Sequence, residues 1–287
     1  MSALIGVTAF IFVLLNTLFW CIFLLSFAVL KLLLPIESWK IFFTKLIIFI
    51  GECWIFCNKA WINLLHKPKW KVNGFQKLDS KNWYLVTANH QSWADIFVLQ
   101  SITNRNIPML KFFMKDVLKW VPIIGLAWWA LDMPFLKRYT KDQLEKNPKL
   151  RGRDIEQMKK SFGRYSRYPV SIFSFAEGTR FTEDKKLKQK SPYQKLLLPK
   201  TGGIALALST MPYIKSFINF TIKYDSEHRT FWKFLCGKMN DVTVEVEIIE
   251  IPESFFGNDY LNDESFRQEI KDWLNQIWLK KDKLLIK

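Results

Sequence analysis

Residues 83–95, WYLVTANHQSWAD, decide how this chain is read. The opening run WYLVTA is apolar and rich in aromatic and β-branched residues, and it stops at the polar group Asn89-His90-Gln91-Ser92. A short run of this kind predicts a strand buried on both faces. From Ser92 to about Ile102 the pattern becomes helical. A second run of the same type, PVSIFSF at 169–175, leads into Ala176-Glu177-Gly178-Thr179-Arg180.

Further strands are predicted at WKVNGF (70–75), around 107–110, around 213–224 and at VTVEVEIIEI (242–251), where strict alternation marks a half-exposed strand. A helix is predicted around 201–210. A terminal amphipathic helix is predicted over 262–280, with Phe266, Ile270, Trp273, Leu274 and Ile277 on one face. The Lys/Gln-rich stretch 183–195 reads as a mobile loop. Strands alternating with helices give an α/β fold, a mixed central sheet flanked by helices.

Ahead of this domain, residues 3–30 carry no charge. About 20 apolar residues suffice to cross a bilayer, so a transmembrane helix is predicted over about 3–34, ended by Pro35. A signal peptide would have a basic start, a shorter apolar core and a small-residue cleavage site, and none is present. Residues 37–65 read as a second hydrophobic, aromatic-rich helix; its Lys45, Glu52 and Lys59 suit the membrane interface better than a clean crossing. The expected organisation is a membrane anchor over 1–66 and a globular domain over 67–287. Lys31, Lys40, Lys45 and the lysines after them follow the first span and none precedes it, which places the domain on the cytoplasmic side.

A net charge of +16 admits three partners: nucleic acid, an anionic membrane surface or an acidic substrate. The apolar N-terminus favours anionic membrane lipids and an anionic substrate over nucleic acid. Four cysteines without metal-ligand spacing and three histidines give no metal cluster, so no metal is expected.

Two strand ends carry polar residues that a packed core does not need, and ligands of open α/β sheets gather at the carboxyl ends of strands. In the first, neutral His90 can act as a general base, and Asp95 can fix its tautomer from the start of the following helix. Ser92-x-x-Asp95 equally matches a capping box, in which Asp95 bonds only to backbone. In the second, Arg180 can grip a phosphate through paired hydrogen bonds and Gly178 permits close backbone approach. Thr179 offers a hydroxyl, and Glu177 can hold Arg180 or bond acceptor hydroxyls. A surface turn with a local ion pair is the plainer alternative. Lys111 and Lys115 are further cations, expected to be solvated or to face lipid headgroups.

NHQSWAD and FAEGTR, in that order, resemble the motifs of the glycerolipid acyltransferases, the family that includes the 1-acyl-sn-glycerol-3-phosphate acyltransferases. Asn89, His90, Ser92 and Asp95 match the family's first motif. Phe175, Glu177, Gly178, Thr179 and Arg180 match its third, with Ala176 in place of proline. MPFLKR resembles the second, ending in Arg138, although Asp132 stands where many members have glycine. LLLPKTGGIALAL resembles the fourth, centred on Pro199. The ensemble looks most like a bacterial inner-membrane subgroup related to lysocardiolipin acyltransferases.

The resemblance implies a membrane-bound O-acyltransferase with His90 and Asp95 catalytic. It also implies a role for Arg180 and Arg138 in binding the acceptor phosphate; the reading of the residues themselves adds Glu177, Gly178, Thr179 and Lys115 as substrate-binding candidates. The donor would be acyl-CoA or an acyl carrier protein, without a cofactor, and the acceptor 1-acyl-sn-glycerol-3-phosphate. Alternatives are another lysophospholipid, such as lysocardiolipin or lysophosphatidylglycerol, or a non-catalytic protein that binds anionic membranes. No Gly-x-Ser-x-Gly occurs, which argues against a serine hydrolase.

Overall fold

The computed structural model describes residues 1–76, 78–136, 153–226, 229–258 and 263–286. In chain order these form α1 (Ser2–Leu33), α2 (Glu37–His66), β1 (Lys69–Asn73), β2 (Tyr84–Ala88), α3 (Ala94–Thr103), β3 (Leu110–Phe112), β4 (Met114–Lys115), a 3-10 turn (Asp116–Trp120), α4 (Ile124–Ala130) and β5 (Phe135–Leu136). There follow α5 (Arg153–Tyr165), β6 (Ser171–Phe175), α6 (Glu183–Gln189), α7 (Gly202–Thr210), β7 (Ser216–Tyr224), α8 (Phe231–Leu235), β8 (Asp241–Glu250), a 3-10 turn (Glu253–Phe255) and α9 (Glu264–Ile286).

Six strands make one mixed sheet in the order β1-β8-β7-β2-β6-β3. All neighbours are parallel except β7 and β8, which run antiparallel. The two short strands β4 and β5 pair separately. Every residue of β2 is buried, as its unbroken run requires. The faces alternate: Tyr84, Val86 and Ala88 enter a core shared with α1, α2 and α3, whereas Leu85 enters a second core with α5, α7 and α9. Each fully buried Leu, Ile or Phe in these layers contributes roughly 1.5–3 kcal/mol. The register sets Ala88 beside Phe175, so the two polar motifs leave adjacent strands at the same level.

Helices α1 and α2 are long and apolar enough to cross a membrane, by length and composition. A polar seam joins them. Asn16 Nδ2 donates to Trp54 O and to Asn58 Oδ1, both at 3.0 Å, and Trp54 Nε1 donates to Thr17 Oγ1 at 3.1 Å. Such bonds between apolar helices fix their register. Helix α1 touches the domain at both ends. Near its start, Gly6 packs against α8, where an added Cβ would lie 2.6 Å from Cys236 Sγ. Near its end, Lys31 Nζ bonds Asp132 Oδ2 at 2.9 Å. Between them Phe10, Leu14, Leu18 and Phe19 on the outer face are exposed.

Asp132 gathers several elements. Its carboxylate also accepts from Tyr168 Oη at 3.2 Å and lies 3.4 Å from Arg164 Nη1, while Tyr165 Oη donates to its carbonyl. Its φ of +53° explains the departure from glycine: the backbone is left-handed here, and Asp is among the few side chains that tolerate it. Lys111 is not solvated, contrary to expectation. It is fully buried, donates to Leu131 O at 2.6 Å, and burial pushes its pKa down to about 8.

Other expectations shift as well. The segment predicted as a mobile loop at 183–195 begins with α6, capped by Thr182, whose Oγ1 accepts from Lys185 N. The strand expected at 107–110 forms at Leu110–Phe112, and the terminal helix runs on to Ile286.

Substitution at Asp132 separates its two roles. Asp132→Ala leaves Lys31 and Arg164 without their carboxylate and is expected to cost about 3 kcal/mol. Asp132→Gly, which suits the positive φ, is expected to cost about 1 kcal/mol less. Thermal unfolding of the detergent-solubilised protein checks both.

Candidate active site

His90 and Asp95 are brought together. His90 follows β2, and Asp95 lies in the first turn of α3. Nδ1 of His90 bonds Asp95 Oδ2 at 2.8 Å. The same oxygen accepts from Gln91 N at 2.7 Å and Ser92 N at 3.0 Å, and Ser92 Oγ accepts from Ala94 N at 3.2 Å. The backbone bonds of a cap and the contact with the imidazole therefore coexist at Ser92-x-x-Asp95. One carboxylate closes the helix start and orients the imidazole. Asp95 is fully buried. Its bond to Nδ1 makes that atom the N–H donor and leaves Nε2 as the free basic nitrogen.

Asn89 performs a different task. Its Nδ2 donates to Ile222 O at 2.9 Å and its Oδ1 accepts from Ile222 N at 2.8 Å, so the amide replaces a strand partner on β7 where β2 has ended. The His90 ring stacks on Phe175, with centroids 3.9 Å apart, and meets the edge of Trp93.

The residues of the second motif divide. Glu177, expected to hold Arg180 or bond acceptor hydroxyls, is not among the residues that line the cavity, and its bonds go to backbone N–H groups instead. It is fully buried; Oε1 accepts from His90 N and Oε2 from Leu197 N, both at 2.9 Å. Phe181 N donates in turn to His90 O at 2.7 Å, so the two motif loops are laced through the His90 backbone. Burial pushes Glu177 up to about 7, against the opposing pull of its two N–H donors and of Lys281. Gly178, at φ +69°, turns the chain, and its N–H bonds Phe175 O. Thr179 Oγ1 accepts from Lys185 Nζ at 2.9 Å. Arg180 lies outward with its guanidinium 5.2 Å from the centroid of the Trp93 ring. Arg138 lies outside the described residues.

A cavity of about 660 Å³ joins these parts. His90, Gly178, Thr179, Arg180 and Lys115 line it, together with Trp20, Cys21 and Leu24 of α1 and Trp54 of α2. The aromatic segment after Trp120 serves it on one side: Ile124, Ala127, Trp128 and Leu131 line the cavity, while Trp120, Leu126 and Trp129 are exposed. Gly125 is required at that turn, because a Cβ would lie 2.3 Å from Lys119 O. An imidazole, a guanidinium and a mostly apolar cavity thus share one space, an arrangement that could deprotonate a hydroxyl on an anionic molecule with an apolar part. The sequence reading missed Trp93 as the seat of Arg180 and the helices α1 and α2 as cavity wall. The Trp in NHQSWAD was the available signal for the first.

Glu177 gives a pH test. Its folded pKa lies above the ordinary 4.5, so its contribution to stability is full below about 4.5 and is lost as pH rises through about 7. Glu177→Gln cannot titrate and presents an amide N–H₂ to one of two N–H donors. Thermal unfolding from pH 4 to 8 is expected to show a lower midpoint for the variant and a weaker decline across that window.

A family model described as Acyltransferase matches residues 69–218. The chain is 24% identical to 1-acyl-sn-glycerol-3-phosphate acyltransferase 3 of Arabidopsis thaliana, over 79% of this chain and 61% of that protein. It is 28% identical to 1-acyl-sn-glycerol-3-phosphate acyltransferase 2 of the same plant (72% and 52%), and 26% identical to the human 1-acyl-sn-glycerol-3-phosphate acyltransferase delta (69% and 51%). The chain therefore spans about half to three-fifths of the length of these relatives. The crystal structure of the 1-acyl-sn-glycerophosphate (LPA) acyltransferase PlsC from Thermotoga maritima matches with a TM-score of 0.53 and 16% identity, over 96% of this chain and 98% of that one, a likeness of fold. The matched span takes up more than half of the chain and encloses His90, Asp95 and the 177–180 turn, and on that ground the chain belongs to the Acyltransferase family.

Proposed function

We propose that this chain is a membrane-associated O-acyltransferase that moves a fatty acyl group from a thioester onto the free hydroxyl of 1-acyl-sn-glycerol-3-phosphate, giving phosphatidic acid. The observation that carries this reading is the 2.8 Å bond between His90 Nδ1 and Asp95 Oδ2 beside a large cavity that also admits Arg180. The relatives are named for the same acceptor, and the fold likeness agrees.

In the proposed mechanism, His90 Nε2 takes the proton of the acceptor hydroxyl as its oxygen attacks the thioester carbon. Asp95 stabilises the imidazolium that forms. The tetrahedral intermediate then expels the thiolate, which takes the proton back from His90. The C–O bond replaces the C–S bond, and no acyl-enzyme forms. Arg180, seated on Trp93, holds the acceptor phosphate, with Lys115 and Thr179 at the same rim. The donor is acyl-CoA or an acyl carrier protein.

Helices α1 and α2 provide the membrane association. The two contacts of α1 with the domain lie 25 residues apart, about 37 Å of helix. That geometry favours a helix lying along the domain with its outer face in one leaflet over one projecting away as a stalk. The lysines that follow α1 suit a surface of anionic lipids, such as the cytoplasmic leaflet of the inner membrane, as the working surface.

A matrix of donors and acceptors in mixed micelles tests the reading. Transfer to 1-acyl-sn-glycerol-3-phosphate is expected to exceed transfer to lysocardiolipin and lysophosphatidylglycerol. His90→Ala is expected to lower kcat about a thousandfold with unfolding unchanged. Arg180→Ala is expected to raise the acceptor KM about tenfold while the donor KM stays. Substantial turnover by His90→Ala would remove the base assignment.

A further inference from the structure

Strand β7 outruns its neighbour. Ala88, the last residue of β2, pairs with Phe220, yet β7 continues to Tyr224 with β8 alone beside it. The exposed backbone at Ile222 is closed by the Asn89 side chain. Two residues further on, Tyr224 falls on the same face of the strand as Ile222. Its Oη donates to Asp95 Oδ1 at 2.7 Å. Tyr224 is 3% exposed and Asp95 not at all. Residue 224 lies beyond the 69–218 span of the family match, so nothing in that match accounts for this contact.

The division of labour on the Asp95 carboxylate gives the contact meaning. Oδ2 takes His90 Nδ1 and two backbone N–H groups. Oδ1 takes Tyr224. Three donors locate Oδ2; a fourth on Oδ1 anchors the carboxylate at a second point and draws on its charge, so it bears on both the line along which His90 is held and the strength of that hold. We propose that Tyr224 is a positioning residue for the transfer reaction, acting through Asp95 on the orientation and basicity of His90. Burial together with the Asp95 charge raises the phenol well above its ordinary pKa, so it is a permanent donor at working pH. Among the described residues, the other charged groups facing Asp95 are Glu177 from the end of β6 and Arg229 from the segment after β7, whose Nε donates to Ser226 O at 3.1 Å.

The inference rests on the acyltransferase reading, and the test keeps the two apart by using full-length protein with a thioester donor and 1-acyl-sn-glycerol-3-phosphate. Tyr224→Phe is expected to lower kcat about tenfold to a hundredfold, the range for losing a hydrogen bond to a buried charge, with both KM values within about twofold. Freed of one donor, Asp95 stabilises the His90 imidazolium more strongly, so the acid limb of kcat/KM against pH is expected to move upward by roughly half a unit. A fluorinated tyrosine placed at 224 is a stronger donor of nearly the same shape, and it is expected to move that limb downward; this second variant serves even if Tyr224→Phe folds poorly. In an Asp95→Asn background, Tyr224→Phe is expected to add little further loss. Full additivity with Asp95→Asn, or an acid limb that neither variant moves, would overturn the proposal. A wild-type chain that transfers nothing from any donor would instead remove the acyltransferase reading beneath it.

Discussion

The site depends on a carboxylate that is hidden from the cavity. Glu177 accepts the N–H of His90 with one oxygen and that of Leu197 with the other. Two strand ends and the segment leading to α7 are thereby fixed to one rigid group at the base of the site. The cost is a buried acid, offset by two N–H donors and by the Lys281 charge arriving from α9. Lys281 is itself buried, donates to Phe220 O at 3.0 Å and lies 4.2 Å from the Trp278 ring centroid. A buried polar network of this type is stable only when its members are satisfied together, and it leaves few alternative arrangements. That explains how a histidine on a loop can be held as firmly as one on a strand.

Much of this was legible in the sequence because hydrophobic pattern is a local property. The runs ending at Ala88 and Phe175 became adjacent strands, and their polar ends had to meet once both lay in one sheet. The pairing of His90 with Asp95 was legible because five residues from loop to first helical turn bring the groups within reach. What remained hidden depends on distant parts of the chain. Glu177 looked like a ligand for substrate because nothing beside it in sequence announces Leu197 N or Lys281. Lys111 looked like a surface lysine because the carbonyl of Leu131, twenty residues later, is what receives it. Residues 183–189 read as loop by composition, yet Thr182 at the N-cap and the acidic pair Glu183-Asp184 in the first turn favour a helix.

The hydrophobic N-terminus is tied to the domain by a few polar contacts set in apolar packing. Lys31 with Asp132 holds one end, the small Gly6 and Ala9 hold the other, and the Asn16–Trp54–Asn58 seam keeps α2 in register between them. Asp132 also meets α5 through Arg164 and Tyr165, so the orientation of α1 and the packing of the second core are set at one residue.

Trp20, Cys21 and Leu24 of α1 face the same space as His90. The wall of the cavity crosses the compositional divide at residue 66, since Trp20, Cys21, Leu24 and Trp54 precede it and His90 follows it. The extent of that space is thus set partly by residues that composition alone would assign to holding the protein in place.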